Sequence, residues 1–406
     1  MNGKNSKTVT FLIIAGVLIA YIMQVSPSVI LLELKTELDI KSEVMLNLTV
    51  SIIYPVVIIT SLLGTLAEKR LGLKKLYALI LMLLAVGLAG NLIADSYLTF
   101  IILRVIYGAG FGFSIPFYGS MLMKLYGTEE RTFMNTVNGL FPFIGTLLCY
   151  ICINLTVSIA GSWKFAFAIW GFIEIAILIS WAPQHLIENE EDNEENSAGV
   201  ALSVLTLQPI RCLAIIIGCD YFCYSYISLI LPTYISESGG ISQIAAGILS
   251  AIVFPGLGLA GGLVGGALAG KKGYRKTILI VGLIMETGGV AISGMSFGPA
   301  LIIELIGVAF FGFGNGLWLP AFYMIPCEQK GITASEVSAA FALLVSIGFL
   351  LGFISPVIGG IITEHIVRRS GLSMVAAHVL GLRKSLLLFA SVNVAGIIAA
   401  FRIESK

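Results

Sequence analysis

Charged side chains are scarce in this sequence. Asp, Glu, Lys and Arg make up 12% of its 406 residues, about half of the roughly 25% that is usual in soluble domains. Hydrophobic residues reach 57%, and the mean hydropathy is +0.98. So few charges could not keep this much apolar surface soluble, which excludes a nucleic-acid-binding protein, a disordered hub and a cytosolic enzyme. The lipid bilayer is the solvent that remains.

Histidine is also rare, and the cysteines lack the partners that a metal or redox site needs. The three histidines are scattered and give no metal-ligand spacing. Cys149 and Cys152 form a C-x-x-C without a second pair, and the other cysteines mostly lie in apolar runs. Glycine patterns at 256–261 and 294–298 match nucleotide-binding and hydrolase motifs, but no strand context accompanies them. We therefore expect no metal, no cofactor, no catalytic residue and no enzymatic activity.

Long apolar runs are what the sequence has in abundance. The first follows Lys4 and Lys7 and is too long for the apolar core of a signal peptide, so we interpret it as a retained helix. A bilayer core requires about 20 apolar residues per helix, and twelve runs approach that length. They are, approximately, 9–32, 46–66, 76–94, 97–122, 132–157, 163–182, 208–231, 242–269, 277–296, 299–322, 337–362 and 385–401. The even number places both termini on one side of the membrane.

The positions of lysine and arginine predict the orientation of these spans. With the N-terminus in the cytoplasm, sixteen of the 24 basic residues fall on the inner side and seven on the outer side. This bias favours cytoplasmic termini in a bacterial inner membrane. The loop between spans 11 and 12 does not follow this bias, because it holds four of the seven outer basic residues: Arg368, Arg369, Arg383 and Lys384. We expect a monomer.

A single long hydrophilic connection, 183–207, separates two groups of six runs. Six acidic residues lie between positions 188 and 195, and such a run of like charges stays solvated. We interpret it as a cytoplasmic acidic linker between an N-terminal bundle, 1–182, and a C-terminal bundle, 208–406. A regulatory or partner-binding segment is the alternative.

The two groups of runs share a repeated pattern. Gly108, Gly110, Gly112 and Pro116 in span 4 recur 204 positions later in span 10. The loops after spans 2 and 8 are also alike, reading GTLAEKRLGLKK from Gly64 and GALAGKKGYRK from position 266. A duplicated six-helix bundle is one architecture of secondary transporters, with the substrate site between the halves at mid-membrane.

With this repeat and these loops the sequence resembles the major facilitator superfamily over essentially its whole length. The resemblance implies an all-α membrane protein of twelve transmembrane helices in two six-helix bundles. The family's loop motif G-x-x-x-D-R-x-G-R-R ties the cytoplasmic gate shut in one state, which implies gating roles for the matching residues. They are Gly64, Glu68, Lys69 and Gly72 in the first copy, and Gly266, Lys271, Gly273 and Arg275 in the second.

Two further motifs bear on the branch of the family. Arg104 before the G-x-G of span 4 resembles the family's fourth-helix motif, and the patterns of spans 4 and 10 are similar to those of the cyanate and nitrate/nitrite branches. The asparagine-rich glycine motifs of the nitrate branch are not found in spans 5 and 11. The antiporter motif of the fifth helix is absent from span 5.

Five ionisable residues lie inside the predicted spans and away from their ends, where an unpaired charge costs at least about 2.5–3.5 kcal/mol. They are Arg104, Glu174, Asp220, Glu286 and Glu304. In the family's arrangement spans 1, 4, 7 and 10 line the cavity, which favours Arg104, Asp220 and Glu304. The resemblance places Glu174 and Glu286 at the periphery.

These residues suggest specific roles in transport. Asp220 and Glu304 are candidates for proton coupling. Arg104 could bind an anionic substrate through its guanidinium fork, or pair with Asp220 or Glu304. Further substrate-binding candidates are uncharged: Tyr21, Gln24, Tyr54, Asn138, Tyr221, Tyr224, Asn315 and Trp318.

The sequence thus predicts a secondary active transporter that moves a small solute, with an organic or inorganic anion favoured, by rocker-switch alternating access with proton coupling. A multidrug or metabolite efflux antiporter is one alternative. A membrane sensor or enzyme that kept the scaffold without transport is another, and an open channel is a third.

Overall fold

The computed structural model describes residues 3–125, 128–184, 205, 207–270, 273–295, 301–327 and 334–403. Within these ranges the chain is almost entirely helical and contains no strand. Among the described residues, twelve helical segments, some built from two consecutive helices, are long and apolar enough to cross a membrane, which confirms the predicted all-α membrane fold. The helices are Gly3–Gln24, Leu31–Glu37, Glu43–Ser51, Ile53–Ala89, Tyr97–Leu125, Thr128–Ala160, Trp163–Trp181, Gln208–Gly239, Gln243–Ala251, Leu257–Ala269, Arg275–Met295, Leu301–Cys327, Ala334–Arg369 and Met374–Arg402.

We number the candidate membrane spans 1 to 12 in chain order. They are Lys7–Gln24, Glu43–Gly64, Leu66–Ile93, Tyr97–Tyr118, Gly139–Ala160, Trp163–Trp181, Gln208–Gly239, Gln243–Ala269, Arg275–Met295, Leu301–Cys327, Ala339–Arg369 and Met374–Arg402. The described chain divides into two compact units. The first contains Met1–Lys41 and Leu48–Glu191, and the second contains Ser42–Asn47 and Asp192–Lys406. The predicted boundaries 1–182 and 208–406 stay predictions, because most of the predicted linker 183–207 lies outside the described residues.

A tight bend at Gly72 interrupts the helix near the start of span 3. The helix Ile53–Ala89 contains the end of span 2 and most of span 3, and Gly72 has φ 72° and ψ 160° within it. This backbone conformation is essentially restricted to glycine. Gly273, the matching glycine in the loop between spans 8 and 9, also has a positive φ, of 96°. The repeated loop motif therefore has a glycine at each of these two turns because the backbone there adopts a positive φ.

In the first unit the glycines of span 4 allow two neighbouring helices to approach closely. A Cβ at Gly108 would lie 3.2 Å from the Cα of Ile53, and one at Gly112 would lie 2.9 Å from the Cα of Val57, both in span 2. Gly110 faces the other way, towards span 3. Small residues permit such backbone contact in membranes, where packing drives helix association.

The second unit repeats this packing in span 10. A Cβ at Gly312 would overlap the carbonyl oxygen of Phe254, and one at Gly316 would overlap that of Gly258, both in span 8. Gly314 faces span 9. The duplicated glycine pattern thus produces the same packing twice, with the outer two glycines on one neighbour and the central glycine on another.

The last span begins earlier than the sequence predicts. The predicted start is residue 385, whereas the helix runs over Met374–Arg402 and includes Arg383 and Lys384. These two charged residues come directly before the apolar run, but the helix already begins at Met374. A buried charge is tolerated when it is paired, and Arg383 is paired with Glu304.

Candidate functional site

Asp220 lies on span 7 in the second unit and is 3% exposed. Its Oδ1 accepts a hydrogen bond of 2.5 Å from the Nδ2 of Asn315, on span 10. Asn315 is also 3% exposed. Two residues predicted separately, one for proton coupling and one for substrate binding, are therefore in direct contact.

Glu286 of span 9 lies beside Asp220, with the side-chain oxygens of the two within hydrogen-bonding reach of each other. The indole nitrogen of Trp318 donates to Glu286 Oε2 at 2.6 Å. The Nδ2 of Asn393, on span 12, donates to Glu286 Oε1 at 2.8 Å. We call Asp220, Glu286, Asn315, Trp318 and Asn393 the carboxyl cluster.

The sequence did not indicate two members of this cluster as site residues. It assigned Glu286 to the periphery from the family's order of spans, whereas the side chain is fully buried and contacts Asp220. It did not single out Asn393, which is also fully buried. Asn315 and Trp318 lie three positions apart and hence on one face of span 10, but this spacing does not indicate Glu286 or Asn393.

Glu304 has a different kind of partner. Its Oε1 accepts hydrogen bonds from Nε and Nη2 of Arg383, at 3.1 and 2.5 Å. Its Oε2 accepts a bond of 2.5 Å from the hydroxyl of Ser238. The proton-coupling role of Glu304 stays a prediction, and the ion pair gives this residue a structural use as well.

Arg104, in the first unit, is 1% exposed and donates to main-chain oxygens. Its Nε bonds to the carbonyl of Thr49 at 3.1 Å, its Nη1 to that of Met23 at 3.1 Å, and its Nη2 to that of Gln24 at 2.6 Å. Its guanidinium also lies over the ring of Tyr107, 4.9 Å from the centroid.

These contacts make Arg104 a cap for the end of span 1. The helix Gly3–Gln24 ends at Gln24, and the last carbonyls of a helix have no partner within it. A cation at a helix C-terminus also complements the helix dipole. The sequence left open an anion clamp or a pair with Asp220 or Glu304, and the structure adds this third use.

Most of the uncharged candidates lie in aromatic or buried surroundings. Tyr21 is half-buried and packs edge-on against Phe111, with ring centroids 5.1 Å apart. Tyr221 is half-buried too and contacts the rings of Tyr224 and Phe349. The other placements follow: Gln24 is half-buried, Tyr54 is 1% exposed, Trp318 is fully buried, and the side chain of Asn138 lies outside the described residues.

The predicted gating residues have separate local roles. Gly64 packs against the ring of Pro116. Arg275 donates from Nε to the carbonyl of Ala269 at 3.0 Å, which caps the end of span 8. A Cβ at Gly266 would meet no described atom within 4 Å. Glu68 is half-buried, Lys69 is exposed, and Lys271 lies outside the described residues.

Twelve apolar helices, a duplicated glycine packing and buried carboxyls within a span together define the class of polytopic membrane transporters. The family model of the Major Facilitator Superfamily matches residues 12–356. The chain belongs to this superfamily, and it is an integral membrane protein that transports a solute.

Individual relatives and solved structures agree with this assignment. The chain is 25% identical over 314 residues to the "Putative niacin/nicotinamide transporter NiaP" of Bacillus subtilis (strain 168), which covers 75% of this chain and 76% of that protein. Its fold is similar to that of a bacterial homologue of the human lysosomal transporter Spinster, with a TM-score of 0.81, 14% identity, and 99% and 97% of the two chains covered. A D-xylose–proton symporter gives a TM-score of 0.77 at 17% identity, with 98% of each chain covered.

Proposed function

We propose that this transporter couples the movement of its solute to protons, and that Asp220 carries the proton. The observation that supports this most is the partner of Asp220. Asn315 is a neutral amide and cannot compensate a buried negative charge as Arg383 does for Glu304. A buried carboxyl without a cation can gain and lose a proton as access to water changes.

We further propose that the solute is a small organic anion of the size of a pyridine carboxylate. Support comes from the relative described as a niacin/nicotinamide transporter. The half-buried ring of Tyr221 could stack on a flat solute. Arg104 is a weaker anchor for the anion than the sequence suggested, because three of its five donors are held by carbonyl groups.

Purified protein in proteoliposomes tests both parts. With an inward proton gradient we expect niacin to accumulate above its outside concentration, and a protonophore to abolish the accumulation. Asp220→Asn should lose this accumulation and keep exchange of labelled for unlabelled niacin, because exchange needs no net proton movement. Full gradient-driven accumulation by Asp220→Asn would refute the role of Asp220.

The same vesicles separate the remaining alternatives. Accumulation that requires an outward rather than an inward proton gradient would indicate an efflux antiporter. We propose that the chain has no enzymatic activity, so labelled solute should be recovered unchanged after uptake. An uptake rate that fails to saturate with solute concentration would indicate a channel.

We propose a bacterial inner membrane as the location, with both termini in the cytoplasm and the protein as a monomer that binds no nucleic acid. The distribution of lysine and arginine supports this orientation. Arg383 lies in the helix of span 12 and is paired with Glu304, so the loop between spans 11 and 12 holds one basic residue fewer than the sequence suggested. Reporter fusions after positions 190 and 404 should both report the cytoplasmic side, and opposite sides would overturn the topology.

A further inference from the structure

Asp220 and Glu286 are two carboxyl groups in contact inside one buried cluster. Asp220 is 3% exposed and Glu286 is fully buried. Their side-chain oxygens are within hydrogen-bonding reach of each other. A carboxylate only accepts hydrogen bonds, so two ionised carboxylates cannot bond to one another. A proton on either group turns that group into a donor for the other.

The surroundings of the pair contain no compensating charge within the described part of the second unit. The hydrogen bonds that reach the two carboxyls come from Asn315, Trp318 and Asn393, all of which are neutral. The other titratable groups close enough to interact electrostatically are Cys219, Cys223 and Tyr323. These are neutral donors at physiological pH.

Arg383, a partly buried cation of this unit, is bound to Glu304 by two hydrogen bonds. Repulsion between two negative charges at contact distance in an apolar interior is strong. A proton held between the two carboxyls removes this repulsion and supplies the donor that a hydrogen bond between them requires.

We propose that Asp220 and Glu286 share one exchangeable proton, and that this pair rather than Asp220 alone is the proton-binding site of the transporter. The proposal rests on the proposed proton coupling. In the step itself a proton from water on one side binds to one carboxyl oxygen of the pair. It later returns to water on the other side, with no other bond made or broken. Glu286 is then the second proton-binding residue, and Asn315 and Asn393 are positioning residues that hold the two carboxyls together.

Trp318 provides a reporter for this site. Its indole nitrogen donates to Glu286 at 2.6 Å, whereas the hydrogen bond of Asp220 Oδ1 comes from Asn315. A change in the charge of Glu286 therefore alters the surroundings of the Trp318 ring. The sequence has four tryptophans, so the signal of this one is obtained as the difference between the protein and its Trp318→Phe variant.

The experiment is a pH titration of this fluorescence difference in detergent, without solute and without a gradient. Asp220→Asn, made in both backgrounds, is the decisive variant because the Trp318 indole bonds to Glu286 rather than to the substituted residue. If the two carboxyls share a proton, we expect the midpoint of the titration to move by more than about one pH unit in this variant. An unchanged midpoint would show that Glu286 titrates independently, and would overturn the proposal.

A matched control is Glu174→Gln, which removes a fully buried carboxyl of the first unit. This variant should leave the Trp318 midpoint unchanged. A shift in midpoint as large as that of Asp220→Asn would mean that Trp318 fluorescence responds to the loss of any buried carboxyl. That result would contradict a proton shared between Asp220 and Glu286. Where Asp220→Asn gives no monodisperse protein, Asp220→Glu replaces it and should retain a single midpoint near that of the unmodified protein. Loss of the transition in that variant would contradict the proposal.

Transport by Glu286→Gln adds a second readout. We expect this variant to lose proton-driven accumulation while it retains solute exchange. Normal accumulation with normal exchange would remove Glu286 from the site. The fluorescence titration needs neither substrate nor transport. It can therefore show a shared proton even if uptake is not coupled to protons, so failure of the shared-proton proposal is distinguishable from failure of the proposed proton coupling.

Discussion

Arg383 donates two hydrogen bonds to one oxygen of Glu304, from Nε at 3.1 Å and from Nη2 at 2.5 Å. The Glu304 side chain is fully buried and that of Arg383 is 12% exposed. Removal of one member of a buried ion pair leaves an uncompensated charge, which costs about 3–5 kcal/mol. The pair therefore contributes to the stability of the second unit whether or not Glu304 also takes part in transport.

Arg383→Met should accordingly lower the free energy of unfolding in detergent by about 3–5 kcal/mol. The double variant Arg383→Met with Glu304→Gln should recover part of this loss, because no buried charge is left unpaired. The control is Lys164→Met, which breaks the pair with the exposed Asp95 and should cost less than about 1 kcal/mol. Equal losses for Arg383→Met and Lys164→Met would show that burial of the pair has no effect.

Arg104→Lys separates a helix cap from an anion clamp. Lysine keeps the charge but cannot reach the carbonyls of Thr49, Met23 and Gln24 together as the guanidinium does. We expect a loss of stability of about 2 kcal/mol from the bonds that are no longer made. The Kd for niacin, measured on the folded fraction, should stay within about twofold of the value for the unmodified protein. Loss of an anion contact worth about 1.4 kcal/mol would instead raise the Kd about tenfold. A large rise in Kd with unchanged stability would favour the clamp.

The bend at Gly72 depends on glycine, since φ 72° with ψ 160° is accessible to almost no other residue. Gly72→Ala should lower the free energy of unfolding by about 1–3 kcal/mol, measured in a thermal or denaturant titration. Gly266→Ala is the matched control, because this glycine is helical and its Cβ position is open among the described residues. The control should be neutral or stabilising by up to about 1 kcal/mol. A neutral effect of Gly72→Ala would mean that the bend relaxes freely.

The close packing of span 10 on span 8 predicts a different pair of variants. A methyl group at Gly316 would overlap the carbonyl oxygen of Gly258, whereas one at Gly288 would meet open space in the described part of the chain. Gly316→Ala should therefore cost about 1–3 kcal/mol through overpacking, and Gly288→Ala should cost nothing measurable. Thermal unfolding of the two variants side by side checks this. Equal stabilities would contradict the proximity of the two helices.

Much of the fold follows from the sequence. The twelve spans could be predicted because each is an apolar run of bilayer length. The repeat could be found because Gly112 recurs 204 positions later as Gly316, and the two glycines pack in the same way. The start of span 12 could not be found in this manner. Arg383 looks like a loop residue until its partner is known, and hydropathy carries no information about pairing between helices.

The carboxyl cluster was predictable only in part. Asp220 and Asn315 stand out as polar residues within apolar runs, and both lie in the cluster. The sequence does not show which face of span 9 is turned inward, so the contact between Glu286 and Asp220 had no visible signal. Arg104 shows the opposite case, in which a residue selected for its charge has main-chain partners that no side-chain pattern reveals.

Proton movement that accompanies solute entry tests proton coupling most directly. In proteoliposomes that contain a pH-sensitive dye, addition of niacin without any imposed gradient should acidify the interior in proportion to the solute taken up. Asp220→Asn should admit niacin with no pH change, or admit none. Entry of niacin into vesicles of the unmodified protein without acidification would contradict the proposed coupling through Asp220.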